Sequence, residues 1–323
     1  IQELFNVEFT EKIYAYLWFI MAFPVSALIF CAGVPLADDI DALESSSDLP
    51  SGLRLFVQFV LLPLVVVLSR YSIVMMVVGG MAMAQALFPR YANAQTISFT
   101  DSRIKASYVK YASPGGSSGE MRGYLVQPVS AAPAKFPAVL VIHENRGLNP
   151  YIEDVARRLA AAGFLALAPD GLYPVGGYPG NDEDGKKLQD GLTPAKLQTD
   201  MLNGAVFLKA HALSSGKLGL TGFCWGGGMT NALAAEMGDA VQAGAPYYGL
   251  SAAPDKVSKI KAELVIHFAE NDPRINATWE AFEGGLKTHG VKSQAHFYAG
   301  TQHGFHNNST PRFNQAAADL SWS

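Results

Sequence analysis

Three short, unbroken apolar runs constrain the fold of this chain more than any other feature. They read AVLVIH at 138–143, FLALAP at 164–169 and ELVIHF at 263–268. Runs without alternating polar residues suit strands that are covered on both faces, as in a parallel sheet between layers of helices. Amphipathic stretches of helical period lie between the runs, for example at 150–162. The alternation predicts an α/β fold with a mainly parallel sheet flanked by helices.

The same patterning predicts the individual elements. The predicted strands are 96–104, 121–127, 137–142, 164–168, 217–222, 241–248, 263–268 and 293–298. The predicted helices are 150–162, 195–210, 226–237 and 277–289, and a further helical pattern begins near Arg312. The run SPGGSSG at 113–119 predicts a turn between two early strands, and residues 171–193, which are rich in Gly, Asp and Pro, predict a long loop.

The first 94 residues are far more apolar than the rest of the chain. Residues 13–34 form an uncharged run of about 22 residues, long enough to cross a hydrocarbon core of roughly 30 Å as a helix. A second apolar region is divided at Arg70, which predicts spans at 53–69 and 71–88; one long helix is the alternative. We therefore expect two or three transmembrane helices in residues 1–94, with residues 1–90 in contact with the lipid bilayer, and a separate domain at 95–323.

Positive charges predict the orientation of this membrane region. Lys12 and Arg70 are expected on the cytoplasmic side, because basic residues flanking spans are retained there. The domain at 95–323 is then expected on the extracytoplasmic side, which is periplasmic or luminal. The sequence Ala-Asn-Ala at 92–94, after an apolar stretch, also resembles the cleavage site of a signal peptide.

Charge and cysteine content exclude several classes of protein. The net charge is −4 and there is no long basic run, so no nucleic-acid partner is expected. The two cysteines, Cys31 and Cys224, are too few for a disulfide framework, and no Cys/His cluster has the spacing of a zinc site. We expect no metal and no cofactor. A lone cysteine with His and Asp elsewhere in the chain fits a catalytic nucleophile.

The segment KLGLTGFCWGGG at 217–228 carries the strongest chemical signal. An apolar strand enters Gly-Phe-Cys-Trp-Gly and an alanine-rich helix leaves it, which is the context of a nucleophile elbow. Cys224 is expected at the N-terminus of that helix, where the helix dipole favours thiolate over thiol. A buried cysteine in a glycine-rich turn is more often a small core residue, so further residues must decide between the two interpretations.

The order of acidic and basic residues after the elbow favours catalysis. Asp272 follows the predicted strand at 263–268, and His303 follows the strand at 293–298. Both therefore lie beyond the carboxyl ends of parallel strands, where open α/β sheets place their sites. Nucleophile, acid and histidine in this order match the triad of α/β-hydrolases. The sequence predicts a Cys224, Asp272 and His303 triad.

Five segments together resemble the dienelactone hydrolase family over about residues 120–323. They are VIHENRGL at 141–148, LAPDGLY at 167–173, GFCWGGG at 222–228, ENDP at 270–273 and HGFH at 303–306. The resemblance implies an α/β-hydrolase fold and acyl transfer through a thioester on the cysteine.

The resemblance also implies roles for residues around the triad. Glu144 matches the glutamate that in this family contacts the resting cysteine and helps to control its ionisation. The backbone N–H groups of Asn145 and Trp225 match the oxyanion hole. An arginine that holds the substrate carboxylate in this family is replaced here by Asn307. The remaining candidates for substrate binding are Arg146, Arg312 and His306.

Two functions remain open on this evidence. The first is a membrane-anchored hydrolase that cleaves a small carboxylic ester or lactone, supported by the residues of the predicted site. The second is an accessory subunit of a membrane protein complex that retains a hydrolase-like domain, supported by the predicted spans, which hydrolysis does not require.

Overall fold

An eight-stranded sheet organises residues 94–323, the part of the chain that this computed structural model describes. Its strands are β1 Ile104–Ser113, β2 Gly119–Pro128, β3 Phe136–Ile142, β4 Leu165–Pro169, β5 Ser214–Phe223, β6 Ala243–Tyr247, β7 Glu263–Asn271 and β8 Ser293–Gln302. They lie in the order β1-β2-β4-β3-β5-β6-β7-β8. Strands β1 and β2 pair in antiparallel fashion, β2 pairs antiparallel to β4, and all other pairs are parallel. The expected mainly parallel sheet is confirmed.

Helices cover both faces of this sheet. They are α1 Pro150–Ala161, α2 Asp182–Asp190, α3 Pro194–Ala210, α4 Trp225–Met237, α5 Pro273–Asn276, α6 Trp279–Thr288 and α7 Gln315–Trp322. Side chains of α3, α4 and α6 belong to one buried apolar cluster, and side chains of α1 and α7 belong to the other. Strand β3 contributes side chains to both clusters, because Leu140 belongs to the first and Val141 to the second. This explains why its sequence is apolar without alternation.

The first predicted strand, 96–104, is wrong, because β1 begins only at Ile104. The backbone N–H groups of Thr96 and Ile97 donate to the Asp154 carboxylate at 2.9 Å instead of to a neighbouring strand. The Arg157 Nε atom donates to the Ile97 carbonyl oxygen at 2.7 Å. Side chains of α1 therefore take the place of a strand ladder. The predicted turn at 113–119 is confirmed, since it joins β1 to β2.

The predicted loop at 171–193 contains a helix, α2, that the sequence pattern missed. The Asn181 side chain accepts a hydrogen bond from the Asp184 backbone N–H at 2.9 Å and so caps the helix. Three acidic residues occupy the first turn, where the helix dipole favours negative charge. Caps and charges rather than an apolar stripe favour this helix, which is why an apolar pattern could not indicate it.

The predicted spans at 13–34, 53–69 and 71–88 lie outside the described residues. Within residues 94–323, none of the helices has both the length and the apolar character that a membrane crossing needs.

The sheet brings the predicted site residues to one edge. Strands β3, β5, β7 and β8 are parallel, and their carboxyl ends lead into Glu144, Cys224, Asp272 and His303 respectively. The chain runs outward in opposite directions from β3 and β5, so this edge includes the topological switch point of the sheet.

Candidate active site

Cys224 occupies a strained turn between β5 and α4. Its backbone φ angle is 57°, a left-handed value that residues with a side chain rarely adopt. The Cys224 backbone N–H donates to the Tyr247 carbonyl oxygen at 3.0 Å, which ties the turn to the end of β6. Backbone strain of this kind persists where the surroundings enforce it, and it is concentrated at functional sites.

Two glycines permit this turn. A Cβ atom on Gly222 would lie 2.2 Å from the Gly226 carbonyl oxygen, and one on Gly226 would lie 2.3 Å from the Ile142 carbonyl oxygen. Both distances are well below van der Waals contact. A side chain at Gly222 would push the two ends of the turn apart, and one at Gly226 would separate the turn from β3. The glycines that flank Cys224 are therefore required by close backbone approach.

Asp272 and His303 form a hydrogen-bonded pair beside this turn. The His303 Nδ1 atom lies 2.5 Å from the Asp272 Oδ2 atom, and the Asp272 side chain is buried. Burial lowers the pKa of His303, while the hydrogen bond and charge of Asp272 raise it. Because the net direction is downward, the imidazole is neutral at pH 7. It can therefore accept a proton while Asp272 fixes its orientation.

The Cys224 thiol is in its protonated form in the resting site. Burial raises its pKa to about 11, and the negative charge of Glu144 acts in the same direction. Hydrogen bonds from the backbone N–H groups of Trp225 and Asn145 lower this pKa but do not reverse the shift. The thiolate expected from the helix dipole is thus a wrong prediction for the resting state. Burial and a neighbouring carboxylate outweigh the dipole.

Tyr248 connects the turn to the histidine. Its ring centroid lies 5.1 Å from that of His303, and its hydroxyl interacts electrostatically with Cys224. Tyr248 is fully buried, and it is the other non-glycine residue with a positive φ angle among residues 94–323. The sequence analysis missed this residue, because a backbone angle of this kind leaves no signal in a tyrosine-containing segment.

Glu144 lies at the end of β3 and is almost completely buried. Its Oε2 atom accepts a hydrogen bond from Asn307 Nδ2 at 2.8 Å. Burial raises the pKa of the Glu144 carboxyl group, whereas Arg146, Asn307 and Arg312 lower it. The charge of Glu144 in turn raises the pKa of Cys224.

Three arginines surround these groups. Arg146 forms an ion pair with Asp182 of α2 at 3.0 Å. Arg312 acts electrostatically on both Glu144 and His303, and its guanidinium carbon lies 3.3 Å from where a Gly304 Cβ atom would be. Arg274, which the sequence analysis did not single out, acts on both Cys224 and His303. Only its position two residues after Asp272 could have indicated it.

His306 lies beneath the site rather than at its opening. Its side chain is 1% exposed, and Nδ1 lies 2.7 Å from the Tyr151 hydroxyl. Aromatic rings pack around it, those of Phe223, Tyr247 and Trp322 among them. The predicted contact of His306 with substrate has no exposed surface to support it, because the helical pattern after Arg312 folds back as α7 and covers the ring.

A mainly parallel sheet with a strained cysteine turn at its switch point and an Asp–His pair on the following strands defines an α/β-hydrolase. The sequence profile of the dienelactone hydrolase family matches residues 121–323, more than half of the chain. The chain belongs to the dienelactone hydrolase family. It is an enzyme that hydrolyses carboxylic esters or lactones, as the sequence predicted.

Individual relatives are consistent with membership of this family. The YghX protein of Escherichia coli K12, whose name describes a hydrolase fragment, is 59% identical over 115 residues, which are 36% of this chain and 97% of that protein. A Bradyrhizobium protein named "Probable 2-oxo-3-(5-oxofuran-2-ylidene)propanoate lactonase" is 31% identical over 64% of this chain and 88% of its own length. The crystal structure of the dienelactone hydrolase-like promiscuous phosphotriesterase P91, from metagenomic libraries, superposes with a TM-score of 0.57 at 22% identity over 68% of this chain and 95% of its own. This last similarity supports the fold alone.

Proposed function

We propose that Cys224 is the nucleophile of a Cys–His–Asp triad that cleaves a carboxylic ester or lactone through a thioester. The observation that carries the proposal is the convergence of the strained Cys224 turn with the Asp272–His303 pair at one edge of the sheet. Shared neighbours support this convergence, because Arg274 acts on both Cys224 and His303 and the Tyr248 ring packs beside His303.

The first half-reaction starts from neutral groups. The sulfur of Cys224 attacks the carbonyl carbon while neutral His303 accepts the thiol proton, and Asp272 stabilises the imidazolium that forms. The backbone N–H groups of Trp225 and Asn145 hold the sulfur in the resting state. When the sulfur turns toward the substrate, these two donors become available to the developing oxyanion. Collapse breaks the C–O bond, and His303 returns the proton to the leaving oxygen.

The second half-reaction restores the enzyme. Water attacks the thioester carbonyl while His303 accepts one of its protons, and the carboxylic acid leaves as His303 returns that proton to the sulfur. For a lactone, the same steps open the ring, because the leaving oxygen stays attached to the acyl group. The name of the Bradyrhizobium relative refers to such a substrate.

The positive charges around the site favour a substrate that carries a carboxylate. Arg146, Arg274 and Arg312 all act electrostatically on Glu144, Cys224 or His303. We assign substrate binding to Arg146 and Arg312, and add Arg274. Replacing Arg312 by Gln should raise KM for an anionic ester several-fold and leave KM for a neutral ester of similar size within about twofold. Equal effects on both esters would contradict this assignment.

The triad is tested with the full-length chain. The enzyme should hydrolyse p-nitrophenyl acetate, and Cys224→Ala should remove this activity. Cys31→Ala is the matched control, because it removes the other cysteine of the chain and should leave the rate unchanged. Undiminished hydrolysis by Cys224→Ala would overturn the proposed nucleophile.

We also propose that residues 1–90 anchor the enzyme in a membrane with residues 95–323 on the extracytoplasmic side. The support is the pair of long apolar regions and the positions of Lys12 and Arg70. A reporter enzyme that is active only after export, fused after residue 94, should be active. A full-length fusion whose reporter is inactive would contradict this topology. Membership of a larger membrane complex stays a prediction from the same segment.

A further inference from the structure

Asn307 has a side chain whose orientation is completely fixed. It is buried with 0% exposure in the loop that follows His303. Its Oδ1 atom accepts hydrogen bonds from the Ser309 backbone N–H at 3.0 Å and from the Ser309 hydroxyl at 2.5 Å. Because both of these partners are donors, the other end of the amide must be the NH₂ group. That group donates to Glu144 Oε2 at 2.8 Å.

This hydrogen bond joins two loops that carry different parts of the site. Glu144 follows β3 and is adjacent in sequence to the Asn145 N–H group that contacts the Cys224 sulfur. Asn307 lies four residues after His303. The Asn307 amide, on the loop that follows His303, therefore fixes the Glu144 carboxyl group, which lies on the loop that follows β3.

The charge state of Glu144 depends on a small set of neighbours. Burial opposes the carboxylate, and the groups that favour it are Arg146 on the same loop, Asn307, and Arg312 farther along the loop after β8. Among residues 94–323, the remaining ionisable groups that face Glu144 are Asp182 of α2, Tyr151 of α1, Tyr248 after β6 and Cys224 itself. Asn307 is the member of this set that does not ionise, so its removal changes no formal charge.

We propose that Asn307 is a positioning residue that holds the Glu144 carboxylate beside the Cys224 sulfur and thereby keeps the resting thiol protonated and unreactive. This inference rests on the proposed function only in taking Cys224 as the reactive thiol. It assigns to Asn307 a part in restraining that thiol before substrate arrives.

Removal of the Asn307 hydrogen bond should lower the pKa of Cys224. Without the Asn307 donor, the Glu144 carboxylate loses the hydrogen bond that holds it in place from the loop after His303, and its pKa rises further. Its negative charge then acts less strongly on the sulfur, and the pKa of Cys224 falls. At a fixed pH below that pKa, the thiolate fraction rises tenfold for each unit of the shift.

The test measures the thiol rather than turnover. Iodoacetamide alkylation of Cys224 in the full-length chain is followed from pH 7 to pH 11 by mass spectrometry of the peptide that contains Cys224, which separates it from Cys31. Asn307→Leu should react at least about threefold faster at pH 8, with its profile displaced to lower pH. Glu144→Gln should displace the profile in the same direction. The double variant should match Glu144→Gln, because Asn307 acts through Glu144.

Asn308→Leu is the matched control, since it removes a neighbouring amide that bonds to the Ala94 carbonyl oxygen instead of to Glu144. Its profile should coincide with that of the unmodified chain. Ser309→Ala keeps Asn307 but removes one bond to its Oδ1 atom, and it should shift the profile by a smaller amount. Ser309→Ala also provides the test if Asn307→Leu does not fold.

A displaced profile for Glu144→Gln together with unchanged profiles for Asn307→Leu and Ser309→Ala would overturn the role of Asn307. Additive effects in the double variant would also overturn it, as would an unchanged profile for Glu144→Gln. Failure of the proposed function has a separate signature: ester hydrolysis would survive Cys224→Ala, whatever the alkylation profiles show.

Discussion

At the scale of single residues, the site depends on contacts between groups that are distant in the sequence. The order of Cys224, Asp272 and His303 indicates an elbow followed by an acid and a histidine, and Asp272 and His303 lie 2.5 Å apart. Their protonation states could not be predicted in the same way. Burial lowers the pKa of His303, while burial and Glu144 raise that of Cys224. These shifts depend on three-dimensional neighbours that a motif does not specify.

Replacing Asp272 by Asn tests the acid of the proposed triad. We expect kcat/KM to fall by about 10²- to 10⁴-fold, because an amide cannot stabilise the imidazolium that forms on His303. Asp272 raises the pKa of His303, so the acid limb of the pH profile should move to lower pH in the variant. Measuring kcat/KM from pH 4 to pH 8 checks both effects.

Glu270→Gln is the control for this substitution. Glu270 is an exposed carboxylate that accepts a hydrogen bond from the Gly300 N–H group outside the triad. Its replacement should leave kcat/KM within about twofold. If Asp272→Asn also left kcat/KM within about twofold, the assignment of Asp272 to the triad would be contradicted.

At the scale of elements, continuous apolar patterns predicted the sheet well. The helix pattern at 150–162 matches α1 at Pro150–Ala161, and the apolar run near 137–142 matches β3 at Phe136–Ile142. The predictions failed where polar contacts decide the structure. Thr96 and Ile97 bond to side chains of α1 rather than to a strand, and α2 depends on the Asn181 cap. Neither arrangement produces a period that an apolar pattern can indicate.

The turn at the start of α4 offers a test of the element that presents Cys224. Gly226→Ala should destabilise the enzyme by about 2–4 kcal/mol or prevent folding, because the new Cβ atom would lie 2.3 Å from the Ile142 carbonyl oxygen. Gly228→Ala is the matched control in the same helix. Its nearest neighbour would be the Leu250 backbone nitrogen at 3.4 Å, an ordinary contact.

Chemical denaturation measures both variants. Because alanine favours a helix over glycine, Gly228→Ala should be neutral or stabilising by up to about 1 kcal/mol. A tolerated Gly226→Ala would show that the turn does not need the close approach to β3.

At the scale of the described domain, the segment that enters it is bound to its surface. Asp154 accepts hydrogen bonds from the Thr96 and Ile97 N–H groups, and buried Arg157 donates to the Ile97 carbonyl oxygen. The Asn308 side chain donates to the Ala94 carbonyl oxygen at 2.6 Å. The chain is therefore held at its entry point by side chains from two separate parts of the domain.

Asp154→Ala should release this segment. We expect faster hydrogen exchange at Thr96 and Ile97 and a loss of about 1–3 kcal/mol in the free energy of unfolding, because two amides and the buried Arg157 guanidinium lose an acceptor. Hydrogen exchange followed by mass spectrometry checks the first effect and denaturant titration the second. Asp190→Ala, which removes an exposed ion pair with Lys186, should produce much smaller changes. Unchanged exchange at residues 96 and 97 in Asp154→Ala would contradict the proposed attachment.

The account as a whole depends on a covalent bond to one sulfur atom. Acid quenching of the full-length enzyme during turnover of p-nitrophenyl acetate, followed by peptide mass spectrometry, tests that bond directly. We predict an acetyl group on the peptide that contains Cys224, removable by hydroxylamine and absent from Cys224→Ala. An acetyl group on a different side chain, with Cys224 unmodified during full turnover, would contradict the account.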